Sequence, residues 1–342
     1  MAIKYLISKN KKQYKANLHC HSTLSDGKLT PEKLKEVYKA RGYNILAITD
    51  HCYPKCHDCL TDDDFLMITG YEAYIRPSAK AEFNRFKPEV HLNLFAKDSK
   101  NEKIICYNKP YIKYMPAKLH NSLPHAGSER EREYTAEYVN EFIDTANRNG
   151  YLVAYNHPIW SMEDEARILS YKNIFSLELY NTGSYIGNNL ENGEVLYDNM
   201  LRCGMRIGCH AGDDNHNSHP FDSPYSDSFG WYTVIMADKL DYKSVINALE
   251  EKNCYASNGP AVYELVVKDG KFGHIECSDA SSIFVFYGSL KNTAKIRMPK
   301  GEVCNSFDFS IPNEAEFIRI TIYDKDGNVA NTRGFFRDEW SE

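Results

Sequence analysis

The sequence predicts an α/β fold, with strands alternating with helices over residues 1–258 and a smaller antiparallel β unit over 259–342. Three observations carry that prediction. Residues 16–49 read strand, helix, strand, and the alternation continues to about residue 251. From Val262 onward apolar residues fall at every second position, as in Tyr263, Leu265 and Val267, or Ile283, Val285 and Tyr287. Asp269-Gly270 and Asp326-Gly327 punctuate that region as hairpin turns would.

The first strand, expected over 16–20, carries His19 and His21. Side chains alternate along a strand, so both imidazoles face one side and can share a metal ion. Asp26 follows in a turn. Thr30 reads as a helix cap, with Pro31 in the first turn and Glu32 adding early negative charge. Leu34, Val37 and Tyr38 recur at helical spacing, and Gly42 supplies the stop. Residues 44–49 form a buried strand that ends on Asp50-His51. Strand ends are where barrel enzymes assemble their chemistry. Asp50 is expected to orient an imidazole rather than to bind metal itself.

Residues 52–64 read as an irregular loop. Cys52, Cys56, His57 and Cys59 could hold a small zinc ion there, although their spacing lacks two separated Cys-x-x-Cys pairs. A strand over 65–69 delivers Glu72 just past its end, and another over 90–95 carries His91. The connection over 74–89 holds Arg76. Residues 108–132 form a long polar connection with Tyr111, Tyr114, Lys118, Arg130 and Arg132, read equally as a binding loop or a solvated excursion. A helix over 133–148 and a strand over 151–155 lead to His157. Ser161 caps a helix reaching residue 170, and a strand over 174–179 follows. A helix over 190–203, strands over 205–209 and 229–236, and a helix over 241–251 complete the alternation. The loop over 213–227 carries Asp214 and His216, with Asp213 and His210 close enough in sequence to be mistaken for them.

Composition narrows the classes. At 342 residues, 42% hydrophobic and 26% charged, the chain can bury a large core and is not a disordered one. A net charge of −6 gives no basic track for a long nucleic acid. No stretch reaches 18 uncharged apolar residues and no signal peptide is evident, so a cytoplasmic protein away from membranes is expected. The ten cysteines are then read as reduced.

His19-x-His21, Ser25-Asp26-Gly27 and Ile48-Thr49-Asp50-His51 together resemble the PHP family, the polymerase and histidinol-phosphatase metallohydrolases. The resemblance implies a distorted seven-stranded β/α barrel binding two or three divalent ions (manganese, zinc or iron). It assigns as ligands His19, His21, Asp26, His51, Glu72, His91, His157, Asp214 and His216, with Glu72 bridging two ions. Leu177-Glu178-Leu179-Tyr180-Asn181 and the passage over 255–260 into a β-sandwich-like appendage further resemble the subfamily that includes carbamate-hydrolysing enzymes.

The activity so implied is hydrolysis of a small phosphomonoester or phosphodiester by metal-activated water, with Glu72, Asp214 and His216 as the catalytic group. Arg76, Lys118, Arg130 and Arg132 are the candidate phosphate contacts. Two alternatives stand beside it: hydrolysis of a carbamate, ester or amide, and a nonenzymatic ligand-binding protein. A neutral, aromatic pocket would favour the first of these, and converging arginines or lysines would favour phosphate.

Overall fold

The computed structural model describes residues 2–77, 87–120, 122–288 and 290–341. Its main body is one large mixed sheet. From one end the strands run Gly208–Gly212, Ser176–Asn181, Tyr151–Tyr155, Val90–Ala96, Leu66–Ile75, Ile45–Ile48, Lys12–Asn17 and Tyr232–Ala237. Neighbours are parallel except where Val90–Ala96 lies antiparallel to both flanking strands and Tyr232–Ala237 antiparallel to Lys12–Asn17. The sheet curls until its first strand meets Tyr232–Ala237. There the Thr233 hydroxyl accepts from the Ala211 amide at 3.0 Å and donates to the Ala211 carbonyl at 2.7 Å. A barrel-like α/β body results, as expected, although eight strands rather than seven enclose it because Tyr232–Ala237 closes the sheet.

Local chemistry explains the helix Pro31–Ala40. The Thr30 side chain accepts from the Lys33 amide, Leu34 and Tyr38 are buried, and Gly42 closes the turn at φ +76°. The helices Ala136–Arg148 and Tyr242–Glu250 are capped in the same way by Thr135 and Asp241. Both lay their apolar stripes against the barrel: Val139, Phe142 and Ile143 from the first, Val245, Ile246 and Leu249 from the second.

Beyond the barrel the large sheet continues through Cys254–Ser257, Val329–Thr332, Phe317–Tyr323, Ser282–Phe286 and Thr293–Arg297. A smaller antiparallel sheet of four strands has the order Ile3–Ile7, Val262–Lys268, Phe272–Ala280 and Cys304–Ser310. Leu265, Val267 and Ile275 of the small sheet share a buried core with Ile283, Val285, Ile320 and Ile322 of the large one. The strand Ile3–Ile7 was not foreseen.

Several boundaries differ from expectation. The first barrel strand is Lys12–Asn17, so His19 and His21 stand beyond its end rather than within it. The strand read as 65–69 runs from Leu66 to Ile75, because Val90–Ala96 pairs with it as far as Ile75, and Glu72 is therefore inside a strand. Ser161 caps nothing: its hydroxyl is buried 3.4 Å from His157 Nδ1, and the short helix Glu165–Ile168 is capped by Asp164. Residues 78–86 of the connection placed over 74–89 lie outside the described residues. All ten cysteines are free. No helix among the described residues is long and apolar enough to cross a membrane.

Candidate metal centre

The site forms where chain segments leave the barrel strands on one face. After Asn17 the chain stays extended for four residues: Cys20 bridges Asn215 in parallel, and the Thr49 amide donates to the Cys20 carbonyl at 2.8 Å. Alternation therefore persists beyond the strand, and His19 and His21 both point inward, fully buried. His51 bridges the backbone of Glu72, and His91 is carried by the antiparallel neighbour. His157 and Asp214 sit at strand exits with φ of +23° and +51°. Such left-handed backbone costs energy for residues with a Cβ and concentrates at functional sites.

Glu72 is central to the cluster. Its Oε1 lies 2.9 Å from His91 Nδ1 and 3.3 Å from both His19 Nε2 and His157 Nε2. Its Oε2 lies 2.9 Å from His51 Nδ1 and 3.5 Å from His21 Nε2. Asp214 Oδ1 stands 3.2 Å from His19 Nε2 and 3.0 Å from His21 Nε2. At the outer end Asp26 faces His21 at 3.7 Å, His51 at 3.6 Å and His216 at 3.5 Å.

These atoms fall into four overlapping donor groups, each within 4.8 Å: His21, Asp26, His51 and His216; His19, His21 and Glu72; His19, His157 and Asp214; and Glu72, His91 and His157. The nine side chains thus form one contiguous cluster able to coordinate two or three divalent ions. The donors fit cations on a separate ground. His19 Nε2, His21 Nε2 and His51 Nδ1 are buried and close to carboxylate oxygens yet aligned with none for a hydrogen bond, an expensive condition unless something else satisfies them. No cysteine belongs to any such group among the described residues, so the zinc site considered for Cys52, Cys56, His57 and Cys59 does not form.

Charges are strongly coupled here. Burial pushes the Glu72 carboxyl up, but the imidazoles of His91, His19 and His51 outweigh it and hold the group well below the usual carboxylate range. Asp214 is lowered in the same way by His19 and His21. Burial opposes protonation of His91, yet Glu72 and Glu89 bring it up to about 10. His216, set against Asp26 and Asp214, is raised to about 9 despite burial.

Supporting residues hold the imidazoles. Glu178, fully buried, stands 2.9 Å from His19 Nδ1 and accepts from the His157 amide at 2.9 Å. Glu89 Oε2 is 3.1 Å from His91 Nε2, and Arg76 in turn approaches Glu89 at 4.0 Å. The sequence reading did not single out Glu178 as a site residue. A carboxylate flanked by Leu177 and Leu179 in the strand Ser176–Asn181 was the available signal, because a buried charge requires a partner. Asp50 departs from expectation: it accepts from the Ser22 amide and from the hydroxyls of Ser22 and Ser25, ordering the turn rather than an imidazole.

The two neighbours of Asp214 face elsewhere. Asp213 accepts from the Tyr38 and Thr182 hydroxyls and the amides of Phe229 and Gly230, and burial pushes its carboxyl up to about 6. His210 is turned into the barrel interior between Phe95 and Phe175, where burial lowers it to about 4.

The connection over 108–132 reaches the cluster through Tyr114, whose hydroxyl donates to Asp26 at 3.0 Å and whose ring stacks on His51. Of the remaining basic candidates, Arg132 is buried and donates to the Tyr74 carbonyl at 2.7 Å. Arg130 pairs with Glu133 and Glu141, and Lys118 is exposed.

Residues 17–175 match the PHP domain family model; Asp214 and His216 lie beyond the matched segment. A 5'-3' exoribonuclease from Haemophilus influenzae is 54% identical over 37 residues, which is 11% of this chain and 14% of that relative's length. A solved two-domain protein from Bacteroides vulgatus, described as containing a predicted PHP-like metal-dependent phosphoesterase, aligns over 98% of both chains at 11% identity and a TM-score of 0.45. An amidohydrolase from Chromobacterium violaceum aligns over 59% of this chain and 87% of its own at 15% identity and a TM-score of 0.37. Residues 17–175 are thus similar to a PHP domain, and seven of the nine clustered donors fall within that segment.

Proposed function

We propose that the chain is a metal-dependent phosphoesterase acting on a small phosphomonoester or phosphodiester. The observation that carries this reading is the overlap of the donor groups, which share His19, His21, Glu72 and His157, with buried imidazole nitrogens of His19, His21 and His51 turned toward the same cluster. In this reading one ion is held by His19, His21, Glu72 and Asp214, a second by Glu72, His91 and His157, and a third by Asp26, His51 and His216. Bound divalent cations supply Lewis acidity, making water acidic near neutral pH and neutralising charge on phosphoryl oxygens.

The chain's own contribution is preorganisation. Glu178 and Glu89 each take the outward ring N–H of an imidazole, leaving His19 Nε2 and His91 Nδ1 as the inward lone pairs. Glu72 and Asp214 arrive ionised, and His216 lies half-buried at the mouth beside both Asp214 and Asp26. Arg76, held near the cluster through Glu89, is the basic residue best placed to meet an anion.

We read residues 1–258 as the hydrolase unit and 259–342 as its appendage. All nine donors lie between His19 and His216, and Leu265, Ile275 and Ile320 centre a second core, which also takes in Ile7, Val234 and Met236 from the first unit. Phosphate release from a panel of small phosphoesters, with added Mn²⁺, Zn²⁺ or Fe²⁺, tests the activity. A folded, metal-loaded protein that releases none overturns it. A carbamate, ester or amide is the second reading, supported by a groove beside Asp214 and His216 that, among the described residues, no arginine or lysine lines. Turnover of aryl carbamates without phosphate release would select it.

A further inference from the structure

The same groove bears on what the phosphoester carries. It opens directly off the cluster, has a volume of about 460 Å³, and is lined by Asp214 and His216 at its inner end. Trp160 is fixed there, its ring 4.9 Å from that of His157 and 5.2 Å from that of His91. Tyr225 and His219 belong to the same lining and lie 5.6 Å apart, ring to ring, with Tyr225 exposed. The helix Thr182–Asn188 adds Gly183, Ser184, Ile186, Gly187 and Asn188, and a Cβ at Gly187 would meet nothing within 4 Å. The space is therefore aromatic at its walls and open over a glycine. Among the described residues its lining carries the carboxylates Asp214 and Asp227 and the imidazoles of His216 and His219, and no lysine or arginine.

Resting on the phosphoester reading, we infer that this groove receives the leaving group, and that it selects a flat, uncharged ring over an alkyl chain or a second anion. Cations in the donor cluster would hold the phosphoryl end, so the groove needs no basic residue for it. A ring entering beside Trp160 and Tyr225 gains apolar burial and offset stacking. A second phosphate or a carboxylate farther along the groove would face Asp227, which lies outside the donor cluster. With no lysine or arginine lining the groove among the described residues, that is unfavourable in a partly desolvated cleft.

Binding to the Mn²⁺-loaded protein by titration calorimetry tests this with three non-hydrolysable probes: phenylphosphonate, methylphosphonate and 4-phosphonobenzoate. Phenylphosphonate is expected to bind about tenfold tighter than methylphosphonate, with 4-phosphonobenzoate weaker than phenylphosphonate. Gly187→Leu, which fills the open floor, and Tyr225→Ala, which removes an exposed wall, should each bring the phenyl-to-methyl ratio toward one. Equal affinity for phenylphosphonate and methylphosphonate overturns the subsite and leaves the phosphoester reading standing. Tighter binding of 4-phosphonobenzoate overturns the charge selection. No binding of any phosphonate removes the phosphoester reading, and the subsite falls with it.

Discussion

His19 Nδ1 and Glu178 Oε1 lie 2.9 Å apart, both side chains fully buried. The pair fixes which imidazole nitrogen is protonated and turns Nε2 toward Glu72 and Asp214. Glu178→Gln keeps the volume but presents a neutral amide that accepts more weakly. Its expected effect is a loss of metal affinity on the order of 10- to 100-fold, measured by competition with a chelator, while the far-UV circular dichroism stays unchanged. Unaltered affinity would show that His19 needs no such partner.

Metal uptake should release protons. In the metal-free protein His91 and His216 are raised to about 10 and about 9, so both are imidazolium at pH 7. Coordination requires them neutral. Apparent affinity should therefore rise with pH throughout the range below about 9 for His216 and about 10 for His91, and level off above. The sign for stability is the reverse: a raised histidine stabilises the metal-free fold fully below its unfolded value, and that contribution is lost as pH climbs through about 10 for His91. Calorimetry in buffers of different ionisation enthalpy counts the protons, and zero release would contradict the protonation described.

Glu72→Gln should remove the carboxylate shared by two donor groups. Bound metal is expected to drop by at least one ion per chain, with hydrolysis falling to background. Elemental analysis of the dialysed variant reads the first directly, whatever the substrate. Full metal content would show that Glu72 is not a bridging ligand.

Tyr114→Phe deletes the hydroxyl that reaches Asp26 while leaving the ring against His51. One hydrogen bond of this sort is worth about 1 kcal/mol, so KM should rise several-fold with kcat nearly unchanged if the connection over 108–132 closes over substrate. Equal falls in kcat and kcat/KM would point instead to a disturbed Asp26.

Local chemistry made some parts of the fold legible and hid others. Thr30-Pro31 and Gly42 state both ends of their helix in adjacent residues, since capping is a matter of a few neighbouring amides. The extent of Leu66–Ile75 could not be read in that way: it is set by Val90–Ala96, an antiparallel partner known only in three dimensions. Asp50 was read beside His51 as its orienting group, yet its nearest donors are Ser22 and Ser25, brought in by the turn. Glu178 lies 159 residues from His19 in sequence, and no local pattern links them. The choice between Asp213 and Asp214 depends on the left-handed backbone at the second of them, which turns the two carboxylates to different surroundings.

The strand Ile3–Ile7 pairs with Val262–Lys268, so Ile3 meets Lys268 across nearly the whole polypeptide. During synthesis the opening strand must wait on the ribosome, unpaired, until most of the molecule has emerged. Closure of so large a loop should make the small sheet the last region to become protected from hydrogen exchange on refolding, after the barrel core around Ile45–Ile48 has consolidated.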